Sequence, residues 1–540
     1  MKFKRLMLAV PFALLVLVLS LSGCEQEEAP TEDLSVLNRA LNSEPDSLDP
    51  QRNRSVQSAD VLRDIGEGLL GYAADGKLIP ASAESWSVSD DGLVYTFTLR
   101  DTLKWSNGDP VTAEHFAFAL RRLVDPATAA FYAEQVKMIV NASAITADGE
   151  PVDSLGVKAL DARTLEIRID QPTPYMLYLL THPSTFPVHP DSLQAHGENF
   201  TDPGNYVSNG AYRLEGREAS SVITLRRNEQ FWNADNVAID QVRWHIVVDE
   251  MSEINRYRAG ELDMTSTVPS PFFEEARVEF PDELKVAPTL SVYYYGFNVT
   301  KPPFKDNLAL RQALSMAVDR EKLVETITAR GELPAYSWVP PGIENYESPV
   351  FSYAKLTQEE RNKIAKQLYR QAGYSEENPA EIELRYNTSD VHRRIAVSVS
   401  SMWSDVLGVE TNLINEEFRV LVQNMREREV TQAFRSNWSG DYTDAVTFLG
   451  IMAPGATWNL PGYDSAEFGE LMESAARQVD LDARRLYLEE AERILLRDHP
   501  VLPLYFYVSK QLVKPRVLGR QDNLLNYHYS QYLSLADTEE

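Results

Sequence analysis

Hydrophobic and polar positions alternate along this chain in two periods, and the periods change at turn-forming residues. Val94-Tyr95-Thr96-Phe97-Thr98-Leu99 switches side with a period of two and is rich in β-branched and aromatic residues, which predicts a half-buried strand. Ser106-Asn107-Gly108-Asp109 is turn chemistry. Thr112 then predicts an N-cap for a helix that carries Phe116, Leu120 and Leu123 on one face. Leu308–Thr326 has the same helical signature through Leu310, Leu314, Ala317 and Val318, and Glu467–Leu496 reads as a long helical stretch broken near Asp480. No repeat of solenoid period occurs. The class is mixed α and β.

The N-terminal segment follows a different pattern. Lys2, Lys4 and Arg5 precede an uncharged apolar run, Leu6–Leu19, and Leu21-Ser22-Gly23-Cys24 closes it. A membrane span needs about 20 apolar residues, more than this run supplies. The segment resembles a bacterial lipobox, which implies a lipoprotein signal peptide over 1–23 and lipidation of Cys24 as the first mature residue. Residues 24–33 (CEQEEAPTED) are acidic, contain proline and lack apolar periodicity, so a flexible tether is expected there.

Composition narrows the function. Cys24 is the only cysteine, so the rest of the chain has no thiol for a disulfide, a nucleophile or a thiolate metal site. The 52 basic and 80 acidic residues give −28, and loss of Lys2, Lys4 and Arg5 leaves 49 against 80, or −31. Such a balance argues against nucleic acid, which demands a basic footprint. The eight histidines form no HExxH, and no G-x-S-x-G or P-loop occurs. No catalytic role, cofactor or metal is expected.

Several ordered motifs carry a family resemblance: Pro80–Trp86, the strand Tyr95–Arg100, Lys104–Gly108, Val111–Ala113, Asn209–Tyr212, Phe231–Asn233, Arg256–Met264, Arg311–Leu314, Tyr386–His392 and Trp438–Tyr442. Together they resemble family 5 extracellular solute-binding proteins, the peptide-binding components of ABC importers, and within it the oligopeptide- and murein-tripeptide-binding members. The resemblance implies an α/β fold of two lobes joined by a hinge (the type II, cluster C periplasmic-binding-protein fold) with an additional third domain. Lobe one would take 34–66, 191–290 and 508–540, the additional domain 67–190, and lobe two 291–507. Hinge crossings are expected near 290 and 507. It further implies an exported, lipid-anchored monomer that presents short peptides to a permease and its ATPases. A murein-peptide receptor and a periplasmic peptide-binding chaperone or sensor are the alternatives.

Peptide termini taken out of water need charged partners. By resemblance, Asp441 stands where the family pairs the ligand's amine, while Arg435 and His392 match residues that meet ligand carboxylates. The segments flanking the ligand would be Arg54–Val56 and Asn437–Ser439, with Tyr132 at the first ligand residues, Phe418 at a side-chain pocket and Trp438 packing beside them. Departures fall at Arg54, where the oligopeptide-binding member has a glutamate, and at Phe418, where it has a tryptophan. Thr328 falls near a family lysine, with Arg330 close enough to replace it. Ser291 and Ser439 occupy two positions that are cysteines in that relative.

Overall fold

The computed structural model describes residues 34–536. The segments expected to be a signal peptide (1–23) and a tether (24–33), Cys24 among them, and residues 537–540 lie outside the described residues. Among the described residues, no helix is long and apolar enough to cross a membrane.

Among the described residues, three sheets of four or six strands, each with its own core, organise the fold, beside two two-stranded pairs. Val36–Leu41, Gln241–Ile246, Val222–Arg227 and Tyr212–Glu218 lie side by side in that order; the first pair is parallel and the others antiparallel. Their core gathers Leu37, Leu62, Tyr212, Leu225, Val242 and Trp244, and takes in Val513 and Leu533 from the C-terminal segment. The second sheet is wholly antiparallel, in the order Ala83–Val88, Val94–Leu99, Thr164–Arg168 and Val157–Ala159. Its apolar face packs on the helix Ala113–Val124 through Phe97, Leu99, Phe116, Leu120 and Leu165.

The local signals explain these elements. Val94–Leu99 alternates as its periodicity predicts, burying Tyr95, Phe97 and Leu99. Gly108 takes a φ of 92°, a left-handed conformation that suits glycine, and closes the turn with an N–H bond to Trp105 O at 2.8 Å. Thr112 caps the next helix, and its N–H donates to His115 Nδ1 at 3.0 Å. The break near Asp480 is also present. Ala466–Ala476 ends, and the Asp480 carboxylate accepts from Ala483 N to start Leu481–Asp498.

Leu308–Thr326 is not one helix. Leu308–Met316 stops, Asp319 caps a new start by accepting from Lys322 N, and a π-helical segment Leu323–Thr328 follows. The reason is Arg320. Its buried guanidinium donates to the carbonyls of Ser315, Val318 and Pro503, taking up helix-end acceptors that a continuing helix would have bonded itself.

The third sheet has six strands in the order Leu333–Pro334, Val501–Leu512, Leu284–Phe297, Ala433–Ser439, Glu381–Asn387 and Glu410–Glu416. Its core includes Tyr293, Tyr294, Tyr295, Trp338, Trp403, Phe434 and Leu504. Two strands are long, at 14 and 12 residues, and pair antiparallel from Leu284↔Leu512 to Gly296↔Val501. Their register shifts between Pro288 and Val292. One end of this ribbon meets Asp263–Thr265, where Leu512 N donates to Thr265 Oγ1 at 2.9 Å; the other runs through the six-stranded core.

Candidate functional site

The strand Ala433–Ser439 supplies the frame of the site. On one side it pairs with Leu284–Phe297 along its whole length, from Phe297↔Ala433 to Ser291↔Ser439. On the other side its ladder with Glu381–Asn387 ends after two residues, at Arg385↔Phe434. Arg435–Ser439 is therefore paired on one side only, and its outer N–H and C=O groups form a short sheet edge that a further strand could extend. Asn437 and Ser439 are exposed along it. The hydroxyl of Ser291 donates to Ser439 Oγ at 2.8 Å, joining the facing positions.

Asp441 lies just beyond one end of this edge. Its backbone N–H donates to Thr447 Oγ1 at 3.4 Å, but its carboxylate has no hydrogen bond or ion pair among the described residues. Capping falls instead to Asp444, whose carboxylate accepts from Val446 N and takes a two-pronged ion pair from Arg484 at 2.7 and 2.8 Å. Although Asp441 is exposed as a whole residue, surrounding groups desolvate its carboxylate and push its pKa up. Those groups line a small cavity: Arg63, Tyr72, Gln135, Tyr178, His182, Tyr442 and Tyr527. Arg63 is itself paired with Asp60 at 3.1 Å. His182 is neutral, since burial and Arg63 lower its pKa to about 3.

Arg435 stands at the other end and is only 6 % exposed. Its Nη1 donates to Asn387 Oδ1 at 3.1 Å and its Nη2 to Tyr507 Oη at 3.2 Å, while the guanidinium lies 4.8 Å from the Tyr293 ring centre. Nε is buried without a partner, and no carboxylate pairs with this cation among the described residues. His392, in the first turn of the helix Asp390–Leu407, has Nδ1 3.3 Å from Tyr293 Oη. Burial, then Arg435 and Arg330, push its pKa down to about 3, so it is neutral at physiological pH. Arg435 thus stands beside a neutral imidazole with no carboxylate of its own, while nearby Arg330 shares Glu332 with Lys510.

The remaining candidates surround the edge less tightly. Arg54 is exposed with no side-chain partner among the described residues, and Val56 is 67 % exposed; they flank Ser55, which caps the helix Val56–Ile65. Tyr132 is partly buried, packed on Phe131 and His182 with ring centres 5.1 and 4.2 Å away. The Asp441 charge and burial together raise its pKa, burial being the larger cause. Trp438 packs 6.1 Å from Trp458, and its Nε1 is buried without a partner. Phe418 is 56 % exposed at the start of the helix Phe418–Glu427. Arg330 donates to Ser270 Oγ and Thr328 O and lies 4.0 Å from Glu332.

Two features escaped the sequence. Gln135 and His182 line the Asp441 cavity from a 3₁₀ turn and a cap, segments with no periodic signal. A separate, mostly apolar cavity of about 490 Å³ is lined by Trp86, Leu177, Ile343 and Leu488 and contains none of the candidate residues. Its charged wall, Asp444 with Arg484, is already self-paired. Among the described residues, no group of three or more His, Cys, Asp or Glu could hold a metal ion.

Comparison with known proteins gives a consistent answer. Residues 77–459 match the family model of bacterial extracellular solute-binding proteins, family 5 middle. The periplasmic oligopeptide-binding protein OppA of Escherichia coli K12 is 38 % identical over 486 residues, 89 % of each chain. The periplasmic murein tripeptide binding protein MppA in its unliganded open form superposes with a TM-score of 0.89 at 32 % identity, covering 93 % of this chain and 98 % of that one. Haemophilus influenzae OppA in complex with the peptide RPPGFSPFR gives 0.70 at 33 % identity, covering 93 % and 99 %. These relatives are solute-binding proteins rather than enzymes, and the fold is the two-lobed α/β type. The chain belongs to family 5 of the bacterial extracellular solute-binding proteins.

Proposed function

We propose that this protein captures short peptides as an added strand and hands them to an ABC permease. One observation carries the reading: the open edge Arg435–Ser439 runs between an unpaired guanidinium and an unpaired carboxylate. An extended peptide brings the matching set, an ammonium at one end, a carboxylate at the other, and backbone groups that must be bonded once they leave water. Arg435 and Asp441 are six residues apart, at most about 20 Å of extended chain, so ligands of about three to five residues match the span. Arg330 extends the positive end for other ligand lengths, and the neutral His392 imidazole beside it offers a hydrogen bond rather than a charge. Specificity from main-chain bonds and terminal charges leaves the side chains loosely read, as a receptor for many sequences requires.

Closure of two lobes completes the site in this reading. The boundaries are those expected from the resemblance, with the hinge where Leu284–Phe297 and Val501–Leu512 lose register near Pro288–Val292. The better fit to an unliganded open form than to a peptide complex supports an open arrangement of this structure. Arg54–Val56, on the opposite lobe, would then approach the ligand's other side. Export, lipid anchoring at Cys24 and delivery by a monomer to a membrane permease with its ATPases complete the proposal.

Mass spectrometry of small molecules released from the purified protein by denaturation tests it. A ladder of mixed peptides three to five residues long is expected. Release of sugars or metal chelates, with no tripeptide binding after refolding, would overturn it. A second reading, a murein-peptide receptor, draws on the TM-score of 0.89 to the murein tripeptide protein and on the unpartnered Arg54, which suits a ligand with an extra carboxylate. A single released mass of that composition would favour it. A chaperone or sensor would instead bind long unfolded segments as well as tripeptides.

A further inference from the structure

Gln135 has no side-chain hydrogen bond among the described residues, and its Oε1 is buried. That is a costly arrangement, since a buried amide oxygen without a donor forfeits its hydration. The residue sits on the 3₁₀ turn Ala133–Val136, far in sequence from the strand that leads to Asp441. Both nonetheless line the same small cavity, one with room for about one water-sized group.

The chemistry of that cavity is one-sided. Asp441 is its one unpaired charge, because Arg63 is engaged with Asp60 and lies 3.5 Å over the Tyr527 ring. His182 adds no positive charge, its imidazole held neutral by burial and its Nδ1 accepting from Ser184 N at 3.2 Å. Tyr72, Tyr178, Tyr442 and Tyr527 contribute ring surface. A desolvated carboxylate, an unsatisfied amide oxygen and several aromatic rings around a water-sized space suit a primary ammonium, which carries three donors and is attracted to ring faces. An anion would meet Asp441, and a neutral apolar group would leave Gln135 Oε1 unbonded.

We propose that Gln135 is a specificity residue that accepts a hydrogen bond from the ligand's ammonium, so that the amine is read by the additional domain as well as by Asp441. This rests on the peptide reading above and deepens it. Asp441 supplies the charge and Gln135 a second fixed acceptor. An N-methylated or acetylated amine loses one or more of its donors and gains bulk in a space sized for a single NH₃⁺. Discrimination at this end is therefore by donor count and size, not by charge alone. The turn that carries Gln135 packs into the core of the second sheet through Val136, while Asp441 follows a strand of the third, so the ammonium bridges the two.

Calorimetric titration of a free-amine tripeptide and its N-acetylated form tests the assignment on wild type, Gln135→Leu, Gln135→Glu and Asp441→Asn. Gln135→Leu keeps the bulk and removes the acceptor; it is expected to weaken the free-amine peptide about tenfold or more. The acetylated form should change less than about twofold, and Gln135→Glu should retain or tighten free-amine binding. If Asp441→Asn discriminates the two ligands and Gln135→Leu does not, the role of Gln135 is overturned and the peptide reading stands. If Asp441→Asn fails to discriminate, the amine reading itself falls, and this inference with it. Thermal melts of both Gln135 variants matching wild type would separate a lost contact from lost folding; a collapsed melt in Leu with normal binding in Glu would overturn the assignment in favour of packing.

Discussion

Two acid–base pairs within the same part of the chain are treated in opposite ways. Asp444 and Arg484 are both buried and close on each other through two bonds, at 2.7 and 2.8 Å. Asp441, three residues earlier, has a desolvated carboxylate with no partner, and Arg435, six residues before that, has a buried guanidinium bonded only to neutral groups. A buried cation without an anion costs several kcal/mol, and an unpartnered carboxylate adds nothing to the fold, so folding alone gives no reason to keep either. The closed pair holds the turn after the strand in place. The split pair is held apart by the strand, with an open sheet edge between its members, and in the proposed reading takes a ligand that carries both complementary charges. Stability and recognition use the same chemistry here and differ only in whether the partner is built in.

The sharpest break of this comparison is to truncate each aspartate. Asp444→Ala strands Arg484 in the interior, and a loss of about 3–5 kcal/mol in unfolding free energy is expected from chemical denaturation. Asp441→Asn removes a charge that has no partner, so its denaturation midpoint should stay near wild type or rise slightly. Equal destabilisation by the two changes would mean that Asp441 is a structural residue after all.

A gentler test changes pH instead of sequence. Desolvation raises the Asp441 pKa above the usual carboxylate value, and protonation removes the charge an ammonium needs. Affinity for a free-amine peptide is therefore present above that raised pKa and falls as pH drops through it. A second fall is expected above about pH 8, where the ligand amine loses its proton. An N-acetylated peptide should lack the alkaline limb and show a shallower acid limb in the same titrations.

The smallest effect expected comes from Glu492. Its carboxylate accepts from Trp338 N, Val339 N and Tyr346 Oη, yet burial pushes its pKa up to about 8. A carboxyl with a raised folded-state pKa stabilises the fold most below its unfolded value near 4.5. That contribution is lost as pH rises through about 8. Glu492→Gln should flatten the pH dependence of the melting temperature between about pH 5 and 8, and an unchanged slope would show that other groups set it.

Local signals made much of the fold legible. The alternation of Val94–Leu99, the cap at Thr112 and the break at Asp480 each depend on a few adjacent residues, and the structure has all three. The interruption after Met316 was not legible, because it depends on Arg320 reaching Pro503, 183 residues away. The site divides along the same line. Asp441 and Arg435 stood out through motif resemblance, and their lack of internal partners is what gives that resemblance physical content. The open edge was invisible, since it exists only because Glu381–Asn387 stops pairing at Phe434. Gln135 was invisible for the same reason: its meaning is set by a carboxylate that folding brings to it.

The central claim is that the edge binds a strand held by its two terminal charges. One crossed titration addresses it, using a tripeptide free, N-acetylated or C-amidated, against wild type, Asp441→Asn and Arg435→Gln. The account predicts that each blocked end and its matching variant are redundant: acetylation costs wild type about tenfold or more and Asp441→Asn little further, and amidation behaves likewise with Arg435→Gln. Losses that simply add, with both variants weakening all three ligands alike, would contradict it.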